Sequence, residues 1–439
     1  MMKKHFLKGT IIAVSGLVGL CNSAYSQMGP KPANIENVKA GMPVNYDEAK
    51  VGTYTLPDVL TTKSGKKITD IKGWETQRRP EIVKLFEDNQ FGRMPGKPSD
   101  LKFNVFDKGT PVFGGKAIRK QITVYFTKDT SDHKMDILVY LPANATKPVP
   151  VLLTLSFSPN SSMSPNDPGL KQGMTIGRDG KKTPAPRRGL GSIDPEKFTS
   201  QGIGFATIGY GDIEPDFADG YKYGIIGTYL KAGQAKPAAN EWGAISAWAW
   251  GLSRAMDYFE TDKQIDAKRI AIQGTSRIGK TVLWAGAHDT RFKMVIESCS
   301  GEGGAALSRR DFGENIAHMT DSTRYFYQFA TNWHNYAKDF NSSPVDAHML
   351  VALMAPRYLL MQTGNTDYWS DPHGELLAGV AANPVYALYG KGSTLPTELP
   401  AGGDQSLAMN PLGFFMHTGG HGTIPSDWDL FLKYIQKYL

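Results

Sequence analysis

The run Gly274-Thr275-Ser276-Arg277-Ile278-Gly279-Lys280-Thr281 constrains the fold more tightly than any other stretch of this chain. A short β-like run, Arg269-Ile270-Ala271-Ile272-Gln273, precedes it, and a helix-like run from Thr281 to Ala287 follows. A serine set between a strand and a helix and flanked by glycines is the pattern of a sharp turn that presents a nucleophile. Gly274 lets neighbouring backbone approach the turn, and Gly279 lets the new helix pack close to the sheet.

The same residues also satisfy G-x-x-x-x-G-K-[ST], the loop that cradles a nucleotide phosphate, with Lys280 and Thr281 as its lysine and hydroxyl. A third reading is an ordinary tight turn whose serine caps the helix. The motif alone leaves all three open.

The N-terminus bears on the choice. Lys3, Lys4 and Lys8 precede an apolar stretch from Gly9 to Leu20 that is too short to span a bilayer, and Ala24-Tyr25-Ser26 has the form of a cleavage site. We expect a signal peptide over residues 1–26, a mature chain from Gln27 and a secreted or periplasmic protein. Bulky Leu20 before Cys21 argues against a lipid anchor. Export disfavours a nucleotide-driven enzyme. It also leaves Cys299 as the single cysteine, so no disulfide supports the fold. The formal charge of +7 includes the three leader lysines, so the mature chain carries 7 − 3 = +4. That is too mild, and its basic residues too scattered, to imply nucleic acid, but a slightly basic surface suits an acidic polysaccharide. No membrane span, cofactor or metal is expected, and the chain reads as a monomer.

Residues 27 to about 100 are rich in proline, glycine and polar residues. They read as an extension with one helix near Glu81 to Phe91, laid over a single domain that reaches residue 439. Strands are expected at Ala117–Phe126, its antiparallel partner Met135–Leu141, the apolar central run Val149–Phe157, and Ile203–Tyr210. A long loop from Ser158 to about Pro195 should border the site. A helix from about Glu241 to Tyr258 precedes the Ser276 turn. Three further strands, Phe292–Ile296, Arg357–Thr363 and Gly413–Met416, alternate with helices at Glu375–Leu388 and Trp428–Leu439. Antiparallel strands followed by alternating strands and helices predict a mostly parallel α/β sheet covered on both faces, a three-layer αβα sandwich.

Catalytic side chains of such sheets gather at the carboxyl ends of strands. Ser276, Asp367 and His421 lie there in that order, which is the chain order of an α/β-hydrolase triad. A serine hydroxyl needs a base to take its proton, and His421, between two glycines before the last helix, is placed to be one. His417 is the rival histidine. Asp371, Glu375, Glu297 and Glu302 are rivals of Asp367 for the acid.

The serine motif, with its arginine and lysine, resembles the G-C-S-R-x-G-K signature of the glucuronoyl esterases, carbohydrate esterase family fifteen, in its bacterial form. The resemblance runs from about Trp242 to the C-terminus and includes Ser300-Gly301-Glu302-Gly303-Gly304-Ala305-Ala306, Asp346-Ala347-His348 and Asp367-x-Trp369-Ser370-Asp371-Pro372. It implies an α/β-hydrolase fold and an esterase acting on (4-O-methyl-)glucuronic acid esters of glucuronoxylan, the proposed links to lignin alcohols. It further implies Ser276 as nucleophile, His421 as base, and Arg277 as oxyanion stabiliser through its N–H and guanidinium. Lys280 would bind a sugar hydroxyl, and Glu314 and Trp369 would contact the uronic acid ring.

Cys299 falls where the fungal members carry their glutamate, so the fungal-type acid is absent and Asp367 takes the position used by bacterial members. Another carbohydrate esterase on the same fold, such as an acetyl xylan esterase, and a non-catalytic polysaccharide-binding relative are the alternatives.

Overall fold

The computed structural model describes residues 28–131, 133–189 and 193–439. The leader expected over residues 1–26, with Cys21, lies outside them. A nine-stranded sheet forms the middle of the molecule. Its strands are β1 (Lys102–Val112), β2 (Ala117–Tyr125), β3 (Lys134–Pro142), β4 (Val149–Ser156), β5 (Gly204–Gly209), β6 (Ile265–Thr275), β7 (Met294–Ser298), β8 (Tyr358–Gly364) and β9 (Leu412–His417). The principal helices are α1 (Arg79–Asn89), α2 (Ala244–Phe259), α3 (Arg277–His288), α4 (Ala347–Ala352), α5 (Pro372–Leu388) and α6 (Pro425–Tyr438).

The strand order is β9-β8-β7-β6-β4-β5-β3-β2-β1. Strands β1, β2, β3 and β5 pair antiparallel in succession, and every other neighbouring pair is parallel. The interchange of β4 and β5, with the parallel run β6 to β9 beyond it, is the α/β-hydrolase topology, here with β1 added at the edge.

Side-chain alternation shows why both faces are covered. In β4, Val151, Leu153 and Leu155 join the larger core cluster, while Leu152 joins the smaller one on the opposite face. Every residue of β4 is buried, as its continuous apolar run requires. The larger cluster takes side chains from α1 to α5, and the smaller takes Leu430, Phe431, Tyr434 and Ile435 from α6. The result is three layers. Helix α2 is apolar nearly all round its circumference and is correspondingly buried.

The N-terminal segment contributes Val59, Ile68, Trp74, Ile82, Phe86 and Phe91 to the larger cluster. Phe91 stacks on Trp284 of α3 at 4.7 Å between centroids. Such a pair contributes about 0.5–1.5 kcal/mol beyond its area. Two features were not legible in the sequence: a ribbon at Val38–Lys39 and Met42–Pro43, and a hairpin at Met174–Ile176 and Lys182–Pro184 inside the long loop. Among the described residues no helix is long and apolar enough to cross a membrane.

Candidate active site

Strand register brings the expected residues to one edge. Thr275 of β6 pairs with Ser298 of β7, Ser298 with Gln362 of β8, and Gly364 of β8 with His417 of β9. The chain therefore leaves β6 at Ser276, β7 at Cys299, and β8 and β9 at the loops carrying Asp367 and His421.

Ser276 sits at φ 61° and ψ −129°, a conformation that costs a non-glycine residue strain and is kept only where the surroundings over-determine it. Those surroundings are visible. The Ser276 N–H donates to Ser298 O at 2.8 Å, and α3 starts at the next residue. A Cβ on Gly274 would lie 2.4 Å from the Ile278 carbonyl oxygen, and one on Gly279 would lie 2.9 Å from Ser298 O. Both glycines are needed for close approach, and the helix begins four residues earlier than the apolar pattern suggests.

His421 Nδ1 lies 2.7 Å from Asp367 Oδ2 and 3.2 Å from Ser370 Oγ. The Asp367 side chain is 2% exposed and that of His421 43%, so the imidazole is held from behind and open to solvent in front. Burial works against the charged imidazolium, but the hydrogen bond and charge of Asp367 outweigh it and hold the His421 pKa above its ordinary value. The loops are stitched together: Thr366 N–H donates to Gly419 O at 2.9 Å and Gly419 N–H to Asn365 Oδ1 at 3.0 Å.

The rival acids have other partners. Asp371 pairs with Arg310 at 2.9 Å and accepts the Gly374 N–H at the start of α5. Glu302 accepts from Ser308 Oγ at 2.6 Å. Glu375 accepts the Gly301 N–H at 2.9 Å, and burial holds its carboxyl well above the usual range. Glu297 is fully buried, which pushes its carboxyl up to about 8. The rival histidine, His417, is buried against Asp427 at 2.9 Å.

Cys299 is 1% exposed, and burial raises its thiol well above the ordinary value. Its Sγ accepts the Gly422 N–H at 3.3 Å and donates to Gly422 O at 3.4 Å, tying the end of β7 to the residue after His421. Ligand-type atoms of Cys299, Asp367 and His421 lie within 4.8 Å of one another. A metal would need the thiolate, and this thiol is buried, held protonated and engaged with backbone.

The Arg277 guanidinium is not free at the surface. It pairs with the nearly enclosed side chain of Asp216 and lies 4.7 Å from the Tyr325 ring centroid and 5.9 Å from that of Phe157. Asp216 also accepts from Tyr327 at 2.9 Å, Gln328 at 2.7 Å and Tyr210 at 3.1 Å. Met174, Thr175 and Ile176 of the long loop line a cleft with Phe157 and Asp216, so that loop lies beside Arg277.

Lys280 lies beneath the turn rather than on an open face. Its Nζ donates to Ser300 O at 2.7 Å and sits 3.6 Å from Glu314, both side chains nearly buried. Burial lowers the Lys280 pKa against the raising effect of Glu314. Glu314 pairs in turn with Arg324 at 2.9 Å, and Arg324 lies 5.1 Å from the Trp369 ring centroid. The structure thus links Lys280, Glu314 and Trp369 through Arg324. Sequence reasoning missed Asp216, Arg324, Tyr325, Gln328 and Ser370. Except for Ser370, which lies within a motif, they sit in segments with no periodic signal.

A parallel-sheet edge with a strained serine turn on one strand and, on two others, a solvent-open histidine backed by a buried acid defines the class: a carboxylic ester hydrolase of α/β-hydrolase fold. Residues 236–390 match the family model described as glucuronyl esterase, fungi. The carbohydrate esterase MZ0003 of an unknown prokaryotic organism is 41% identical, over 90% of this chain and 92% of its own. The solved glucuronoyl esterase from Solibacter usitatus is 43% identical with a TM-score of 0.83, over 88% of this chain and 99% of its own. A 4-O-methyl-glucuronoyl methylesterase of Neurospora crassa is 26% identical over 92% of this chain and 85% of its own. The chain belongs to the glucuronoyl esterase family, carbohydrate esterase family 15.

Proposed function

We propose that this enzyme hydrolyses the ester between (4-O-methyl-)glucuronic acid of glucuronoxylan and an alcohol of the lignin type, through a serine acyl-enzyme. The observation that carries the reading is the Asp367–His421 contact at 2.7 Å on the sheet edge that also presents Ser276. Ser276 Oγ attacks the ester carbonyl while His421 Nε2 takes its proton, and Asp367 holds the Nδ1 edge and balances the imidazolium. The backbone N–H of Arg277, at the start of α3, and its guanidinium stabilise the oxyanion. Asp216 holds that guanidinium in place. As the tetrahedral intermediate collapses, the C–O bond to the alcohol breaks and His421 passes its proton to the departing oxygen. Water then attacks the acyl-enzyme by the reverse proton path, releasing the uronic acid.

Lys280 and Glu314 position hydroxyls of the uronate ring, and Trp369 covers the ring. Names of relatives support this substrate class, including the 4-O-methyl-glucuronoyl methylesterases. The enzyme works as one catalytic domain over residues 27–439, as a monomer, after export and cleavage near Ser26.

The test compares benzyl glucuronate, methyl galacturonate and acetylated xylan as substrates for the wild type and Ser276→Ala. We expect benzyl glucuronate to be the preferred substrate and the alanine variant to lose turnover. Faster release of acetate from xylan than of alcohol from the glucuronate would overturn the substrate assignment. Retained turnover in Ser276→Ala would overturn the nucleophile.

A further inference from the structure

A cavity of about 1060 Å³ lies between the N-terminal segment and the loops that carry Asp367 and Glu314, and the reaction proposed above makes no use of it. Its volume is just above the roughly 300–1,000 Å³ that accommodates drug-sized ligands. Three rings, Tyr46, Phe312 and Tyr368, form part of its wall, with Asn45, Asn315 and His373 among the polar groups. Tyr46 meets Phe312 and Tyr368 edge-on, each at 6.2 Å between centroids, while Phe312 and Tyr368 lie within 27° of parallel.

The walls are pinned. The Gly29 N–H donates to Asn365 O at 2.9 Å, and the Tyr368 hydroxyl donates to Gly29 O at 3.0 Å. The Gly313 N–H donates to Asn45 O at 2.8 Å, and Arg310 pairs with Glu48 at 2.6 Å. The cavity is therefore framed by contacts between the two sides. The Tyr46 and Tyr368 side chains remain part-exposed within it. Among the described residues the Tyr46 hydroxyl has no hydrogen-bond partner on the protein. Burial, with the charges of Glu36, Asp367 and Glu314, pushes its pKa up to about 12, so it stays a neutral donor.

The lining selects a ligand class. It holds the carboxylates Asp47, Glu48, Asp311, Asp371 and Glu398 against Lys31 and Lys50, with Arg310 pairing Glu48 and Asp371 from behind, a balance that stays negative and disfavours a second uronate. An aryl alcohol would cover the rings but bring a single hydroxyl to a wall whose polar groups include the unpartnered Tyr46 hydroxyl, and burying such a group without a partner is costly. A neutral pyranose has an apolar face for a ring and hydroxyls for amides and carboxylates. Tyr368 directly precedes Trp369, and Phe312 lies two residues before Glu314, so a sugar chain held here lies beside the segments that would hold the uronate.

We infer that this cavity is a second carbohydrate site, which binds a short run of neutral pyranose units of the polysaccharide carrying the ester. The inference rests on the polysaccharide reading of the substrate, and the site holds the chain without touching the ester bond. The experiment is calorimetric titration of the mature wild type and Tyr46→Ala with xylohexaose and with cellohexaose, neither of which carries an ester. We expect saturable binding of xylohexaose, the backbone of the ester-bearing chain, weakened tenfold or more in the variant; binding of cellohexaose alone would overturn the assignment to that chain. The variant should turn over benzyl glucuronate at the wild-type rate and show a several-fold higher KM, at unchanged kcat, for ester-bearing glucuronoxylan.

A wild-type crystal soaked in the bound oligosaccharide should show a sugar ring against Tyr46 or Tyr368, a result that does not depend on the variant folding. No binding of either oligosaccharide, equal binding by Tyr46→Ala, or a sugar seated elsewhere would overturn the inference. So would benzyl alcohol occupying the cavity in preference to sugar. Failure of the wild type to turn over benzyl glucuronate would instead overturn the proposed function and leave the titration to judge the cavity.

Discussion

Asp367 and Asp371 are four residues apart on one loop, both almost fully buried, and they face different partners. Asp367 meets His421, whereas Asp371 meets Arg310 and caps α5. Their amide variants should separate accordingly. Asp367→Asn should keep the fold and lower kcat on benzyl glucuronate by about 10⁴, the order seen when a triad acid becomes an amide. Asp371→Asn should lower thermal stability, because Arg310 and the α5 N-terminus lose a charged partner. The reverse outcome, normal turnover in Asp367→Asn and lost turnover in a well-folded Asp371→Asn, would move the acid assignment.

The pH profile follows from His421. Its pKa is raised, so more than half of the imidazole is protonated at the ordinary value of 6.5 and cannot serve there as the base of the proposed mechanism. We expect kcat/KM to rise with pH through a midpoint above 6.5. Removing the Asp367 charge leaves burial as the main remaining influence, so the residual activity of Asp367→Asn should show a midpoint below 6.5. The stability that the pair contributes has the opposite trend: it is fully present below the ordinary histidine value and lost as pH rises through the raised one. Profiles of rate and melting temperature against pH check both.

At the scale of elements, the strand–turn–helix around Ser276 depends on backbone proximity. Gly274→Ala places a methyl group 2.4 Å from a carbonyl oxygen in the following helix, which cannot yield without moving α3. We expect a loss of about 1–3 kcal/mol, as for overpacking elsewhere, together with reduced kcat because Ser276 shifts with the helix. Gly96→Ala, where nothing lies within 4 Å of the added carbon, should change neither. Chemical denaturation and steady-state kinetics on the two variants make the comparison.

Across the whole molecule, the N-terminal segment is fastened to the catalytic loops by charge. Arg310, whose side chain is 4% exposed, bridges Glu48 of that segment and Asp371 at the start of α5. Replacing one partner of a buried pair leaves an uncompensated charge and costs about 3–5 kcal/mol. Arg310→Met should therefore lower stability on that order and make residues 28–50 a substrate for limited proteolysis. A variant as stable and as protease-resistant as the wild type would show that the apolar contacts of Trp74, Phe86 and Phe91 hold the segment unaided.

The main chain order, the central sheet and the Ser276 turn could be read from the sequence because each rests on a local signal. Runs such as Val149–Phe157 have the composition of a strand buried on both faces, and the glycines around Ser276 mark a turn no larger residue permits. The placement of His421 at the sheet edge was legible for the same reason, since it lies between a strand and a helix in a glycine-rich loop.

The choice of Asp367 among five acidic residues came from chain order and a family resemblance, since nothing local distinguishes one loop carboxylate from another. Their separate partners appear only when β7, β8, β9 and α5 are packed together. The surroundings of Arg277 and Lys280 are likewise tertiary. Asp216, Arg324 and Tyr325 come from irregular segments whose side chains carry no period, and their positions are set by contacts with residues up to 112 positions away in the chain. The cavity beside the acid loop depends on the longest-range contact of all, the return of residues 28–50 to the strand ends.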